Sequence, residues 1–261
     1  MLSTRKQPIV RLPSRLLPGR AIQNARAAAA HLLWPWRCPL CGVAAITVDR
    51  RQVCATCLQA ILAERLKTYC PGCGGPPRAA EPVADLCPAC RSHPKAFAAI
   101  AVVGEHKDAL RQSIVQWKFR HCPGLGDVLG ELLSDSIARQ PWLDRIDGLV
   151  PIPQPWTRWL TRQSFPVGDL AGHIAAGLRL PVWPVLKARP HRRQVGLGME
   201  DRLRNVRDVF RVPRGIDLRR KRLCLIDDVT TTGATLTSAA RNLRRCGVAE
   251  VYAAAIAKAI G

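Results

Sequence analysis

The chain has 261 residues, long enough for one domain core of ordinary size and a small accessory module. Its 40 lysines and arginines against 19 acidic residues give a formal net charge of +21, which favours polyanionic partners. No stretch approaches the roughly 18 apolar residues that cross a bilayer, so the sequence predicts no membrane span.

The first 37 residues contain seven lysines or arginines and no acidic residue. An apolar stretch at residues 27–36 raises the alternative of a secretory signal, but His31 and Pro35 interrupt it and a cysteine pair follows at once. We therefore expect a cytoplasmic protein. Residues 1–30 are predicted to form a disordered basic arm, unless the true start lies further downstream.

Four Cys-x-x-Cys pairs follow, with twelve, twelve and thirteen residues between them. The pattern repeats, because CPLCG and CPGCGG each open a unit that a plainer pair closes, which is typical of a duplicated zinc ribbon. Two such turns complete a four-sulfur site without an open position, so we predict two structural zinc ions. Sequential pairing is expected, although interleaved pairing also gives four sulfurs per site. The sequential ligands are Cys38, Cys41, Cys54 and Cys57 for the first site, and Cys70, Cys73, Cys87 and Cys90 for the second.

Disulfides and iron–sulfur clusters are the competing interpretations of these pairs. Disulfides do not suit a cytoplasmic chain, and ferredoxin cysteines usually form one dense run with a remote ligand. Cys122, Cys224 and Cys246 lie outside the pattern, and we expect the last two to be small buried hydrophobic residues.

The next segment predicts a strand at residues 96–103 and helices at residues 107–119 and 125–138. The first helix leads into WKFRH at residues 117–121. Its aromatic and basic side chains could stack on and neutralise a nucleic acid, or Trp117 and Phe119 could simply be core or rim residues. The sequence favours neither interpretation.

A buried strand is predicted at residues 146–152, running into the proline-stiffened segment VPIPQP. A helix at residues 167–178 and a short strand at residues 182–186 follow. Residues 187–222 hold thirteen lysines or arginines against four acids, which indicates either a mobile loop over a site or a solvated basic face.

The sequence LCLIDDVTTTGAT at residues 223–235 indicates a strand, a polar turn and a helix. An apolar run at residues 222–226 ends in Asp227 and Asp228, and helical spacing resumes at residues 236–246, before a last strand at residues 250–257. Free N–H groups at the helix start and a glycine suit a phosphate, while the carboxylates suit sugar hydroxyls or a divalent metal. The alternative is an ordinary turn with a threonine cap.

Strands and helices alternate from residue 96 onward. This order predicts an α/β domain with a mostly parallel sheet, helices on both faces, and a ligand at the carboxyl ends of the strands near Asp227 and Pro151. The predicted division is an arm at residues 1–30, a double zinc ribbon at residues 31–95 and this domain at residues 96–261.

The loop at residues 227–235 resembles the ribose-5-phosphate loop of type I phosphoribosyltransferases, and together with the cysteine pairs the chain resembles the ComF family of bacterial competence proteins. The resemblance implies a sheet of the type I phosphoribosyltransferase kind. It also implies binding of phosphoribosyl pyrophosphate with Mg²⁺, the acids contacting the ribose and residues 231–235 the 5-phosphate. The implied substrate-binding residues are Asp227, Asp228, Thr230, Thr231, Thr232, Gly233, Ala234, Thr235 and Arg162.

The chain departs from the family where RGFNQ is usual. It has RQSFP at residues 162–166, so only Arg162 keeps its family identity, and an intact catalytic site is in question. Three functions follow: a phosphoribosyltransferase acting in DNA uptake, a single-stranded DNA-binding competence protein that works with partners such as a DNA-uptake helicase, or a phosphoribosyl pyrophosphate sensor without turnover.

Overall fold

The computed structural model describes residues 37–44, 53–76, 86–120, 122–153, 166–188 and 209–260. The predicted basic arm, Arg162 and most of the basic stretch before residue 209 lie outside these ranges. Within the described residues, no helix is both long enough and apolar enough to cross a membrane.

Short helices belong to the cysteine-rich part, and longer helices alternate with strands from residue 100 onward. The helices are α1 Ala55–Ala63, α2 Pro88–Ser92, α3 Asp108–Arg120, α4 Pro123–Ala138, α5 Pro166–Leu178 and α6 Ala234–Arg245. The strands are β1 Ile100–Glu105, β2 Gly148–Pro151, β3 Lys187–Ala188, β4 Phe210–Arg211, β5 Arg222–Thr230 and β6 Glu250–Lys258.

Four of these strands form a parallel sheet in the order β1-β6-β5-β2. Alternate residues of β5 serve two cores, because successive side chains of a strand point to opposite faces. Cys224 and Ile226 pack with α3, α4 and α5, whereas Leu223 and Leu225 pack with α6. The predicted α/β fold, a parallel sheet with helices on both faces, is confirmed.

The outer edge of β1 is covered by backbone from the cysteine-rich part. Arg65 forms an antiparallel bridge to Gly104, and the Leu66 N–H donates to the Val103 carbonyl at 2.8 Å. Further along, the Ile100 N–H donates to the Pro71 carbonyl, also at 2.8 Å. Backbone groups at a sheet edge need such partners, so the cysteine-rich part completes the sheet.

A side chain from the same segment caps α3. The two carboxylate oxygens of Glu64 accept hydrogen bonds from the N–H groups of Ala109 and Leu110, at 2.7 and 2.8 Å. The first N–H groups of a helix lack partners within the helix, and a carboxylate also complements the positive end of its dipole. Glu64 therefore joins the two parts of the chain.

Three of the predicted strands have different bounds in the structure. The first begins at Ile100 and ends at Glu105, instead of spanning residues 96–103. Residues 182–186 do not form a strand; Val182 makes one bridge to Leu149, and the short strand lies at Lys187–Ala188, paired with Phe210–Arg211. In addition, β5 continues to Thr230, so both aspartates lie inside the strand instead of following it. The pairing of Val229 with Ala257 on β6 extends the strand past its apolar run.

We expect Glu64→Ala to lower the free energy of unfolding by about 1–2 kcal/mol, because two N–H groups of α3 lose a charged acceptor. Denaturant unfolding of zinc-loaded protein measures this change. Glu64→Gln, which keeps one acceptor oxygen, should lose less. Equal stability of Glu64→Ala and the wild type would show that the cap is not needed.

Candidate functional site

The eight paired cysteines form two clusters. In each cluster the four Sγ atoms lie within 4.8 Å of one another, and the pairing is sequential, as predicted: Cys38, Cys41, Cys54 and Cys57 form the first, and Cys70, Cys73, Cys87 and Cys90 the second. Gly42 and Gly74 follow the second ligand of the opening turns with φ of 74° and 72°, as expected for tight ligand turns. These are zinc-binding sites of the closed, structural kind.

The chemistry of the clusters also fits a bound dication. Burial and the neighbouring sulfurs raise the pKa of the Cys57 and Cys90 thiols. Gathering four thiolates without a cation is therefore unfavourable, and Zn²⁺ would relieve this repulsion while releasing protons.

The two remaining cysteines with a predicted role differ from each other. Cys224 is completely buried in β5, as expected. Cys246 is exposed, because it follows the last residue of α6 at the end of the sheet where the chain turns. The prediction that Cys246 is buried was wrong.

The threonine loop, residues 231–233, connects β5 to α6 at the carboxyl end of the sheet. Gly233 lies just before α6 with a φ of 75°, a conformation that favours glycine, and the Ala234 N–H donates to the Thr232 hydroxyl at 3.3 Å. The side chains of Thr231, Thr232 and Thr235 are exposed at this helix start. Thr230, in contrast, is buried in the strand, so its hydroxyl does not face solvent.

The two aspartates occupy different environments. Asp228 is buried, and its Oδ2 lies 2.5 Å from the Lys118 ammonium on α3. Asp227 accepts a hydrogen bond from the Asp228 N–H at 2.9 Å. Burial, and then the negative charge of Asp228, raise the pKa of Asp227 to about 8. Asp227 is thus a carboxyl group that would gain from a cation or hydroxyl donor brought by a ligand.

Lys118 belongs to the segment WKFRH, for which the sequence allowed two interpretations. Trp117 is buried in the core, whereas Phe119 on the same helix is 58% exposed, and stacking on a nucleic acid stays a prediction. Neither interpretation anticipated the ion pair of Lys118 with Asp228. His106 lies near the same pair; burial lowers its pKa, with a further contribution from Arg111 and Lys118.

Two further lysines flank the threonine loop. The Lys258 ammonium, at the end of β6, donates to the Thr231 carbonyl. A Cβ placed on Gly233 would lie 3.8 Å from Lys95 Cε, so Lys95 also lies beside the loop. Sequence analysis missed both lysines. If the strand order had been known, Lys258 could have been predicted, because it is a basic residue at the end of the strand that pairs with β5.

The predicted meeting of Asp227 with the Pro151 segment agrees with the sheet pairing, because Pro151 of β2 is opposite Ile226 of β5. Beyond Pro153 the chain leaves the described residues until Pro166, so the segment containing Arg162 is not placed. The carboxyl end of the sheet thus has the carboxylates of β5, the hydroxyls and N–H groups at the start of α6, and the ammonium groups of Lys95 and Lys258 beside the loop. Such an arrangement can hold an anion and a group that bears hydroxyls or a cation.

The raised pKa of Asp227 predicts a pH-dependent stability. Folded Asp227 keeps its proton up to about pH 8, whereas the unfolded carboxyl loses it near 3.8, so the folded state binds more protons between these values. The free energy of unfolding should therefore fall as the pH rises from about 4 to about 8, and less steeply in Asp227→Asn.

Denaturant unfolding at several pH values measures this difference between the variant and the wild type. Asp217→Asn is the control, because Arg219 lowers the pKa of that exposed carboxyl, and the variant should keep the wild-type slope above about pH 5. If the free energy of unfolding changed with pH equally in Asp227→Asn and the wild type between about pH 4 and 8, folded Asp227 would be ionised in this range.

Comparisons with known proteins agree with this architecture. A family model described as "Double zinc ribbon domain" matches residues 29–91. The "DNA utilization protein YhgH" of Salmonella typhimurium is 26% identical over 223 residues, which cover 83% of this chain and 94% of that protein. "Competence protein F" of Haemophilus influenzae is 26% identical over 168 residues, covering 61% of this chain and 72% of the relative.

Phosphoribosyltransferases also match part of the chain. A stretch of 47 residues, 18% of this chain, is 57% identical to 26% of "Adenine phosphoribosyltransferase" of Mycobacterium avium. The solved purine phosphoribosyltransferase of Pyrococcus horikoshii aligns with 51% of this chain and 73% of its own, at 18% identity and a TM-score of 0.32. The similarities to the DNA utilization and competence proteins extend over most of the sequence, and the zinc-ribbon family model covers the cysteine-rich part. The chain is therefore a ComF-like protein, in which a double zinc ribbon precedes a mostly parallel α/β domain.

Proposed function

We propose that the chain binds phosphoribosyl pyrophosphate together with Mg²⁺ at the carboxyl end of its sheet, and that it acts in the uptake or use of DNA. The observation that carries the proposal is the threonine loop, with Gly233 at positive φ and two lysines, Lys95 and Lys258, beside it. Free N–H groups, hydroxyls and two ammonium groups are what a phosphate dianion requires. The role in DNA uptake or use is motivated by the similarity to a DNA utilization protein and a competence protein.

In this proposal the 5-phosphate binds the threonine loop and the first residues of α6, together residues 231–235. The ribose hydroxyls face Asp227 and Asp228. The raised pKa of Asp227 favours its protonated form in the ligand-free chain, and it would lose this proton as hydroxyl groups or Mg²⁺ approach. Mg²⁺ would neutralise the pyrophosphate leaving group. The ion pair with Lys118 holds the Asp228 side chain in place, and Arg162 is proposed to contact the ligand from the segment after Pro153.

If the chain turns over, the bond from the anomeric carbon to pyrophosphate breaks while an acceptor attacks from the opposite face. The positive charge that develops on the ribose would be stabilised by the two carboxylates, and the loop would hold the phosphate end still. The altered segment at residues 162–166 supports the alternative of a sensor that binds without turnover.

Calorimetric titration of zinc-loaded protein with phosphoribosyl pyrophosphate and Mg²⁺ tests the proposal. The double variant Asp227→Asn, Asp228→Asn should weaken binding by at least about a hundredfold, since hydrogen bonds to two charged groups are lost. Asp217→Asn, which removes an exposed carboxyl that pairs with Arg219, should bind like the wild type. Equal affinity of the double variant and the wild type would refute the assignment of the acids.

A pyrophosphate-release assay on the same proteins separates the enzyme from the sensor. Release that requires an acceptor and is lost in the double variant would establish a transferase. Binding of phosphoribosyl pyrophosphate without release of pyrophosphate, whichever acceptor is added, would support the sensor.

Binding of single-stranded DNA is the second candidate, and a separate surface favours it. Arg219, Arg220 and Lys221 precede β5 at its amino end, away from the threonine loop, and continue into Arg222. The Arg220 N–H donates to the Gly247 carbonyl at 3.0 Å, which brings this segment beside the end of α6 with its exposed Arg244. We call these five residues the basic end of the sheet.

The basic end of the sheet also includes an aromatic contact. The Lys221 ammonium lies 5.6 Å from the centroid of the Trp183 ring, which is half-buried. Arg219 is 79% exposed although it pairs with Asp217, and Arg222 is 51% exposed although it lies 3.8 Å from Glu250. Exposed pairs of this kind hold their charges weakly, so phosphates can compete for these side chains.

Binding of a fluorescent single-stranded oligonucleotide at several salt concentrations tests this candidate. For single strands, the logarithm of the binding constant falls against the logarithm of salt by about 0.7 per phosphate contacted. We expect the triple variant Arg219→Ala, Arg220→Ala, Lys221→Ala to reduce this slope by about 2. Lys187→Ala, which removes one exposed charge from β3, is the control. No binding by the wild type at low salt would refute the candidate.

A further inference from the structure

The second cysteine cluster and the threonine loop lie on either side of one lysine. Lys258 is the last residue of the central strand β6, and its neighbours in the sheet are Glu105 on β1 and Thr230 on β5. Its carbonyl accepts a hydrogen bond from the His106 N–H at 2.8 Å, and the next N–H, of Ala259, donates to Thr230. The backbone at Lys258 is therefore fixed from both sides.

The side chain of Lys258 reaches from this anchor to the loop. Its ammonium donates to the carbonyl of Thr231, the first loop residue after β5. The stem of the side chain passes the second cysteine cluster: a Cβ on Gly75 would lie 3.9 Å from Lys258 Cε and 3.4 Å from Cys73 Sγ. A single methyl group at Gly75 would thus contact both the metal ligand and the lysine.

The first cysteine cluster has different neighbours. Its turn contacts α3, where the Gln112 side-chain amide donates to the Leu40 carbonyl at 2.9 Å, and Cys38 belongs to the core on the α3 face of the sheet. Lys258 and the second cluster instead meet at the carboxyl end of β6. The two clusters therefore differ in the part of the α/β domain that each one supports.

We propose that Lys258 is a positioning residue that couples the second cysteine cluster, and not the first, to the conformation of the threonine loop. Four thiolates around one Zn²⁺ carry a net negative charge, which attracts the ammonium and keeps it at the loop. An ammonium group has three donors, so the bond to Thr231 leaves others for thiolate sulfur and for a ligand anion. The effect on ligand affinity rests on the proposed sugar-phosphate site, whereas the effect on the loop itself does not.

Hydrogen–deuterium exchange of ligand-free, zinc-loaded protein tests the coupling directly. We expect Lys258→Met to speed exchange at residues 229–235 by about tenfold, because the loop loses a hydrogen bond from a charged donor. Exchange in the middle of β5 should not change, which separates a local effect from general destabilisation. Lys258→Arg should restore protection, and Lys187→Met, the same substitution on β3, should have no effect on the loop.

One cysteine substitution in each metal site measures how much that site contributes to the ordering of the threonine loop. Cys73→Ser in the second site should speed exchange of the loop, whereas Cys41→Ser in the first should not, with the zinc content of each variant measured alongside. The proposal would be overturned if the loop of Lys258→Met exchanged at the wild-type rate. It would also be overturned if the two cysteine variants changed the exchange rate of the loop equally.

Titration with phosphoribosyl pyrophosphate and Mg²⁺ then distinguishes the coupling from the proposed function. Lys258→Met should weaken binding by about tenfold and Lys258→Arg by much less. Absence of binding in the wild type would refute the proposed ligand, while the exchange results would still decide whether Lys258 positions the loop. Faster exchange of the loop with unchanged affinity would show that Lys258 orders a loop which the ligand does not use.

Discussion

The structure depends on the pairing of the cysteine-rich backbone with the edge of β1. A parallel sheet of four strands has two edges, and the groups along the outer edge of β1 need partners. The segment that joins the two cysteine clusters supplies them from Arg65 to Pro71, and Glu64 at its start caps α3. The same antiparallel pairing leads from Gly104, near the end of β1, back to Ile100 at its start, where the second cluster begins. The Lys258 side chain reaches this cluster from the carboxyl end of β6.

The charges at that end of the sheet are sorted by element. The acids lie on β5, and Lys118 reaches Asp228 from α3 on one face. The cations beside the threonine loop come from the end of β6 and from Lys95, just after the cysteine-rich part. A ligand with a phosphate at one end and hydroxyls at the other matches this separation. The cations of the basic end of the sheet lie at the opposite end of β5 from the loop. The two anionic ligands proposed for this chain would therefore bind to separate surfaces.

Local patterns in the sequence were enough to predict the cysteine clusters and their pairing, the parallel α/β fold and the position of the loop, because each depends on residues close in sequence. Lys258 and Lys118 were missed because their roles depend on strand order: β6 lies between β1 and β5, and α3 covers the face to which Asp228 points. The length of β5 was underestimated because acids and threonines usually mark a turn, whereas pairing with the alanines of β6 extends this strand.

The register of β1 also bears on how the chain is made. Ile100 pairs with Ala253, so the inner edge of β1 has no partner until almost all the described chain has been synthesised. The residues that cover its outer edge precede β1 and run from Arg65, after the last ligand of the first cluster, to Pro71 in the opening turn of the second. Zinc bound by a nascent chain would therefore hold in place the segment that covers this edge. Without zinc, both edges of β1 would lack partners during translation, and unpaired strand edges are where other chains can pair.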